Sequence, residues 1–121
     1  MAKKILVVDD SISIRKSVDF VLGQEGYEVV TAEDGSDGLL KAKEEKFDLI
    51  ITDINMPNMN GIEFIRELRK MPTYKFVPII ALTTESQDSK MQEGRDAGAT
   101  GWIVKPFSPE KLIAVIKKLL G

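Results

Sequence analysis

The chain has 121 residues, 43% hydrophobic and 30% charged, and it contains no cysteine and no histidine. Those two absences exclude disulfides, zinc fingers, thiol or imidazole nucleophiles and imidazole bases, so a metal must be held by oxygen and a nucleophile must be a carboxylate, a hydroxyl or a lysine. Seventeen basic against nineteen acidic residues leave a net charge of −2, which gives no electrostatic reason to expect nucleic acid as a partner.

The N-terminus, Met1-Ala2-Lys3-Lys4, leads into a short apolar run that meets two aspartates at once. It lacks the apolar length and small-residue cleavage site of a signal peptide. No apolar run approaches a membrane span, so a cytoplasmic protein is expected. Ile5-Leu6-Val7-Val8 is unbroken and largely β-branched, as a strand covered on both faces requires. Ile14, Val18, Val21 and Leu22 then follow helical spacing, and Gly23 with Gly26 offers a stop. Strands are expected at Tyr27 to Thr31, Leu49-Ile50-Ile51, Val77 to Leu82 and Trp102-Ile103-Val104. Gly61 to Met71 carries Phe64, Ile65 and Leu68 on one helical stripe. Leu112, Ile113, Ile116, Leu119 and Leu120 form the clearest apolar face, opened by Ser108-Pro109 as N-cap and first-turn proline.

Ser86 to Ala97 also occupies the place of a crossover helix, yet it is mostly polar, with Met91 and Ala97 its main apolar residues. Gly94 inside it costs about 1 kcal/mol relative to alanine. It reads either as a peripheral helix or as a weakly anchored element able to shift or bind a partner.

Strands and helices therefore alternate, which implies an α/β fold with a doubly wound five-stranded parallel sheet and helices on both faces. Surface scaling gives roughly 6,500 Å² exposed when folded against roughly 19,600 Å² unfolded, enough for one core. One domain over residues 1–121 is expected, with no linker and no second domain.

In such a sheet ligands bind beyond the carboxyl ends of the strands. The first strand ends in Asp9-Asp10, the third in Thr52-Asp53, the fourth in Thr83-Thr84 and the fifth in Lys105-Pro106. Each residue has an ordinary reading: Asp10 or Ser11 as a helix cap, Thr83 as a strand residue, Lys105 as a surface charge. Their convergence on one edge is what matters. Clustered carboxylates repel unless a cation neutralises them, and Mg²⁺ binds through carboxylates, water and phosphate oxygens. A lysine and a hydroxyl opposite suit a phosphoryl group.

Asp9-Asp10 after Ile-Leu-Val-Val, then Asp53-Ile-Asn-Met-Pro-Asn-Met-Asn-Gly61, Leu82-Thr83-Thr84 and Trp102-Ile-Val-Lys105-Pro106-Phe107 together resemble the receiver domain of bacterial two-component response regulators. The blocks span essentially the whole chain and are most similar to the single-domain, CheY-like chemotaxis branch. The strand order 2-1-3-4-5, long known for flavodoxin and CheY, comes with that resemblance and not with the residue pattern. The resemblance implies Asp53 as the acceptor of a phosphoryl group from a histidine kinase. Asp10, Asp53 and the backbone carbonyl of Asn55 would hold Mg²⁺ directly, with Asp9 acting through water. Lys105 would contact the phosphoryl group and Asp53, and Lys105-Pro106 would be cis. Thr83 and Trp102 would be the switch pair, and Asn55 and Glu85 would tune the lifetime of the phosphorylated form. Pro57 pins the loop after Asp53, and Gly61 is expected to permit positive φ before the third helix.

Two residues depart from the family's commonest pattern: Trp102 replaces the usual Tyr or Phe, and Thr84 stands where alanine is frequent. The implied protein is a monomeric switch, not an enzyme, whose fourth helix, fifth strand and last helix bind a partner such as a flagellar motor switch protein. A phosphatase is a further candidate partner, and nucleic acid and membrane are not. The rival readings are a phosphorelay intermediate or phosphate sink, a Mg²⁺-dependent phosphatase with an aspartate nucleophile, and an FMN module. The last would place carboxylates, Asp9-Asp10, against the FMN phosphate.

Overall fold

The computed structural model describes residues 2–56, 59–84 and 88–120, the last range without the side chains of 88–90. The strands are β1 (Lys4–Val8), β2 (Glu28–Ala32), β3 (Leu49–Asp53), β4 (Ile79–Thr83) and β5 (Gly101–Val104). The helices are α1 (Ile12–Gln24), α2 (Gly35–Glu44), α3 (Gly61–Arg69), α4 (Asp88–Ala97) and α5 (Pro109–Leu120), with a 3₁₀ turn at Pro72–Tyr74. All strand pairs are parallel, in the order β2-β1-β3-β4-β5. The accessible surface of 6505 Å² agrees with the scaling expectation.

Two cores flank the sheet because successive strand residues point to opposite faces. Ile5, Val7, Leu49, Ile51, Leu82 and Ile103 pack against Val18 and Leu22 of α1 and Leu112 and Ile116 of α5. Leu6, Val8, Ile50, Ile79 and Ala81 face Ala42 of α2, Phe64, Ile65 and Leu68 of α3 and Ala97 of α4. The strand order reverses between β1 and β3, which opens a crevice at their carboxyl ends.

Helix α2 has no apolar stripe to announce it, and its packing explains why. The helix is capped by Asp34, which accepts from Asp37 N at 2.8 Å, and it buries Gly35, Gly38 and Ala42. A Cβ at Gly38 would stand 3.0 Å from Phe64 and Val8, so small residues let α2 close on the sheet. Helix α3 stops at Arg69 and not at Met71, and Pro72 opens the 3₁₀ turn that follows. Strand β4 starts at Ile79 and not at Val77, whose carbonyl accepts from Arg69 Nη1 at 2.7 Å.

Candidate functional site

Four strand ends deliver the site. Asp9 follows β1 and is fully buried, whereas Asp10 beside it is exposed. Ser11 caps α1 by accepting from Ile14 N at 3.4 Å, so the observed cap falls to Ser11 and not to Asp10. Ser11 N in turn donates to Asp9 Oδ1 at 2.9 Å, and Arg15 Nη1 donates to the Asp9 carbonyl at 2.7 Å. Asp53 is the last residue of β3 and only 6% exposed. Carboxylate oxygens of Asp9, Asp10 and Asp53 lie within 4.8 Å of one another.

Lys105 reaches this cluster from the far side of the sheet. Its backbone N donates to Thr83 O at 2.7 Å, extending the β4–β5 ladder by one bond. The peptide to Pro106 is cis. Nζ then stands 3.0 Å from Asp9 Oδ2 and 3.4 Å from Asp53 Oδ1. The family motif points to a lysine beside Asp53; nothing in it marks Asp9 as the nearer partner.

Burial raises the pKa of Asp53 to about 6, and the charge of Asp9 pushes the same way. Lys105 and the N–H of Ile54, which donates at 2.9 Å, act against that rise. For Lys105 burial opposes the charged form, but the hydrogen bond to Asp9 and the charges of Asp53 and Asp9 outweigh it and raise its pKa. The cluster therefore concentrates negative charge in a partly dry crevice beside one fixed cation. Oxygen donors at this spacing fit a hard divalent cation.

Thr83 is fully buried at the end of β4. The register pairs Ala81 with Trp102 and Thr83 with Val104, so Thr83 and Trp102 project from the same face of the sheet, one step apart along neighbouring strands. Trp102 is half-buried and its Nε1 is buried, with no hydrogen-bond partner among the described residues. Asn55 is exposed, two residues beyond Asp53. Pro57 and Glu85 lie outside the described residues.

Gly61 corrects an expectation. Among the described glycines positive φ occurs at Gly26 and Gly98, not at Gly61. What Gly61 supplies is close approach: a Cβ there would fall 2.1 Å from Asp53 O. Its N–H donates to Ile54 O at 2.9 Å. The capping box of Asn60 and Glu63 fixes the start of α3 directly above this contact. The spacing Asn-x-x-Glu is a helix start that a sequence can show, but nothing in it marks the packing of Gly61 on β3.

Residues 5–117 match the family model described as response regulator receiver domain. The chain is 52% identical to the chemotaxis protein CheY4 of Vibrio cholerae, covering 99% of this chain and 100% of that one with a TM-score of 0.97. It is 41% identical to the alkaline phosphatase synthesis transcriptional regulatory protein PhoP of Bacillus subtilis, over 99% of this chain and 49% of that protein. The chain thus spans about half the length of the curated regulators it matches. A receiver domain of the sensor histidine kinase PA1611 of Pseudomonas aeruginosa, solved with a magnesium ion coordinated in its active-site cleft, is 27% identical with a TM-score of 0.93, over 100% of this chain and 99% of that one. Fold, strand-end carboxylates and match agree: the chain belongs to the response regulator receiver domain family.

Proposed function

We propose that this chain is a phosphorylation-operated switch in which Asp53 accepts a phosphoryl group from a histidine kinase. The reading rests on one observation: a nearly buried carboxylate, Asp53, shares a crevice with Asp9, Asp10 and the ammonium of Lys105. In the transfer an Asp53 carboxylate oxygen attacks phosphorus as the bond to the donor's histidine nitrogen breaks. The imidazole keeps that electron pair and takes up a proton.

Asp10, Asp53 and the carbonyl of Asn55 would hold Mg²⁺ directly, with Asp9 acting through water. When bound, the ion neutralises charge on the transferring group. The hydrogen bond from Ile54 N holds one carboxylate oxygen of Asp53 in place, which favours a fixed line of attack. Lys105 would exchange part of its contact with Asp9 for the incoming phosphoryl oxygens. The added charge of about −1.5 to −2 would draw the Thr83 hydroxyl toward it. Trp102, on the same face, would then turn toward the space that Thr83 leaves. The surface of α4, β5 and α5 would change and select a partner protein.

The 52% identity with CheY4 supports a receiver that acts in bacterial chemotaxis, with a flagellar motor switch protein as partner. A second reading is favoured by the curated regulators: the receiver half of a transcriptional regulator, to which the chain is 41% identical in PhoP. Asn55 and Glu85 are assigned to tuning the phosphorylated lifetime. Incubation with a small-molecule phosphodonor and Mg²⁺ tests the core of the proposal: labelling is expected in the natural chain and absent in Asp53→Asn. Equal labelling of both would refute it. Capture of a motor switch protein by the phosphorylated form alone would decide for chemotaxis.

A further inference from the structure

Helix α4 buries only small residues among those whose side chains are described, Gly94 and Ala97, while Gln92, Glu93, Arg95 and Asp96 are exposed. A mid-helix glycine is unfavourable by itself, so its burial asks for a cause. The cause is the indole of Trp102. A Cβ built on Gly94 would lie 2.3 Å from Cζ3, 3.0 Å from Cε3 and 3.3 Å from Cη2 of that ring. The six-membered edge of the indole is therefore pressed against the bare backbone of α4.

The opposite side of the ring is less well served. Nε1 is buried with no hydrogen-bond partner among the described residues, and an unmet buried donor weakens the orientation that buries it. Beside the ring is an open groove of about 300 Å³ lined by Met91, Arg95, Ala99, Thr100, Gly101 and Trp102 itself. The ring thus has a close seat, a polar group that works against that seat, and room to leave it.

We propose that Gly94 is a positioning residue for Trp102: the missing side chain at this point of α4 sets the resting orientation of the indole. The inference rests on the proposed reading for its consequence, since Trp102 reports on Asp53 only if it is the switch aromatic. The seat itself is independent of phosphorylation. A β-carbon at 94 forces the ring toward the groove, so the unphosphorylated protein acquires an orientation that its neighbours do not hold in place.

The test is a double-mutant cycle with a spectroscopic readout in the unphosphorylated protein. In a Trp102→Ala background, Gly94→Ala should lower the unfolding constant about fourfold, the ordinary gain of alanine over glycine in a helix. With Trp102 present that gain should vanish or reverse, and the indole, the chain's single tryptophan, should show a red-shifted emission and greater acrylamide quenching. The same emission change should appear in Asp53→Asn, which cannot be phosphorylated. Equal stabilisation in both backgrounds with unaltered emission overturns the inference, as does a loss of folding that Trp102→Ala does not rescue. A loss of folding that Trp102→Ala rescues supports it. If beryllofluoride with Mg²⁺ alters emission in neither the natural chain nor Gly94→Ala while the resting difference persists, the switch role of Trp102 fails and the seat stands.

Discussion

Nζ of Lys105 lies 3.0 Å from Oδ2 of Asp9, a link from the end of β5 to the end of β1 across the ends of two intervening strands. Asp9 is fully buried, and a buried carboxylate without a cation is costly. Lys105→Met should therefore destabilise the fold by ~3 kcal/mol, the lower end of the cost of breaking a buried pair. Asp53, relieved of the charge that restrains its pKa, should titrate above its present value of about 6. Labelling of Asp53 should slow on the order of a hundredfold, as when one preorganised donor to a developing charge is removed. Urea unfolding with and without Mg²⁺ measures the first effect, with Mg²⁺ restoring part of the loss. Unchanged stability would show that the link contributes nothing.

Asp53 gives a pH dependence with a definite sign. Its folded-state pKa is raised from 3.8 to about 6, so the folded state binds the proton more tightly than the unfolded chain. Stability is then fully present below the ordinary carboxylate pKa and is lost as pH rises through about 6. Asn at this position keeps an oxygen to accept from Ile54 N and does not titrate. Asp53→Asn should be more stable than the natural chain at pH 7 by on the order of 3 kcal/mol without Mg²⁺, converging near pH 4. Mg²⁺, binding the natural chain more tightly, should narrow the gap. Denaturation at several pH values decides; an advantage that grows toward acid would contradict the assignment.

The candidate site was legible as a cluster because strand ends carry its residues: Asp9, Asp10, Asp53, Thr83 and Lys105 each follow or close an apolar strand run that the fold gathers at one edge. The sheet was legible for the same reason, since strands buried on both faces leave unbroken apolar runs. What escaped was whatever depends on small residues or on backbone acceptors. Gly35, Gly38 and Gly94 create contacts by lacking atoms, which hydrophobic periodicity does not register. Arg69 carries no local signature of its partners, because they are carbonyls brought near by β4 and the end of α4.

Arg69 at the end of α3 donates to Tyr74 O at 2.6 Å, Val77 O at 2.7 Å and Gly98 O at 2.7 Å. It ties the turn before β4 to the connection between α4 and β5. Burial lowers its pKa, but a guanidinium remains charged. Arg69→Met keeps the packing of the stem and strips three carbonyls of their donor. A loss of ~3 kcal/mol is expected, about 1 kcal/mol or more for each group left unmet. Labelling at Asp53 should persist, since the arginine stands apart from the carboxylates. Unfolding curves and phosphodonor labelling on the same variant separate the two.

Gly61 offers the most severe single change near the site. A Cβ there would come within 2.1 Å of Asp53 O and 2.8 Å of Ile54 Cα, and both obstacles are backbone that has no rotamer to yield. Gly61→Ala must therefore shift either α3 or the end of β3, at a cost of ~3 kcal/mol or more, the upper range for overpacking. Gly23→Ala is the matched control. That glycine also lies in a helix, but nothing stands within 4 Å of the added atom, so a gain of up to ~1 kcal/mol is expected from helix propensity. Because Asp53 sits on the displaced backbone, Gly61→Ala should also weaken Mg²⁺ binding about tenfold, as other changes that misplace a ligand do. A Mg²⁺ titration by isothermal calorimetry under native conditions reads this directly. If stability falls while Mg²⁺ affinity holds, α3 has moved and β3 has not, and the contact of Gly61 with Asp53 serves packing alone.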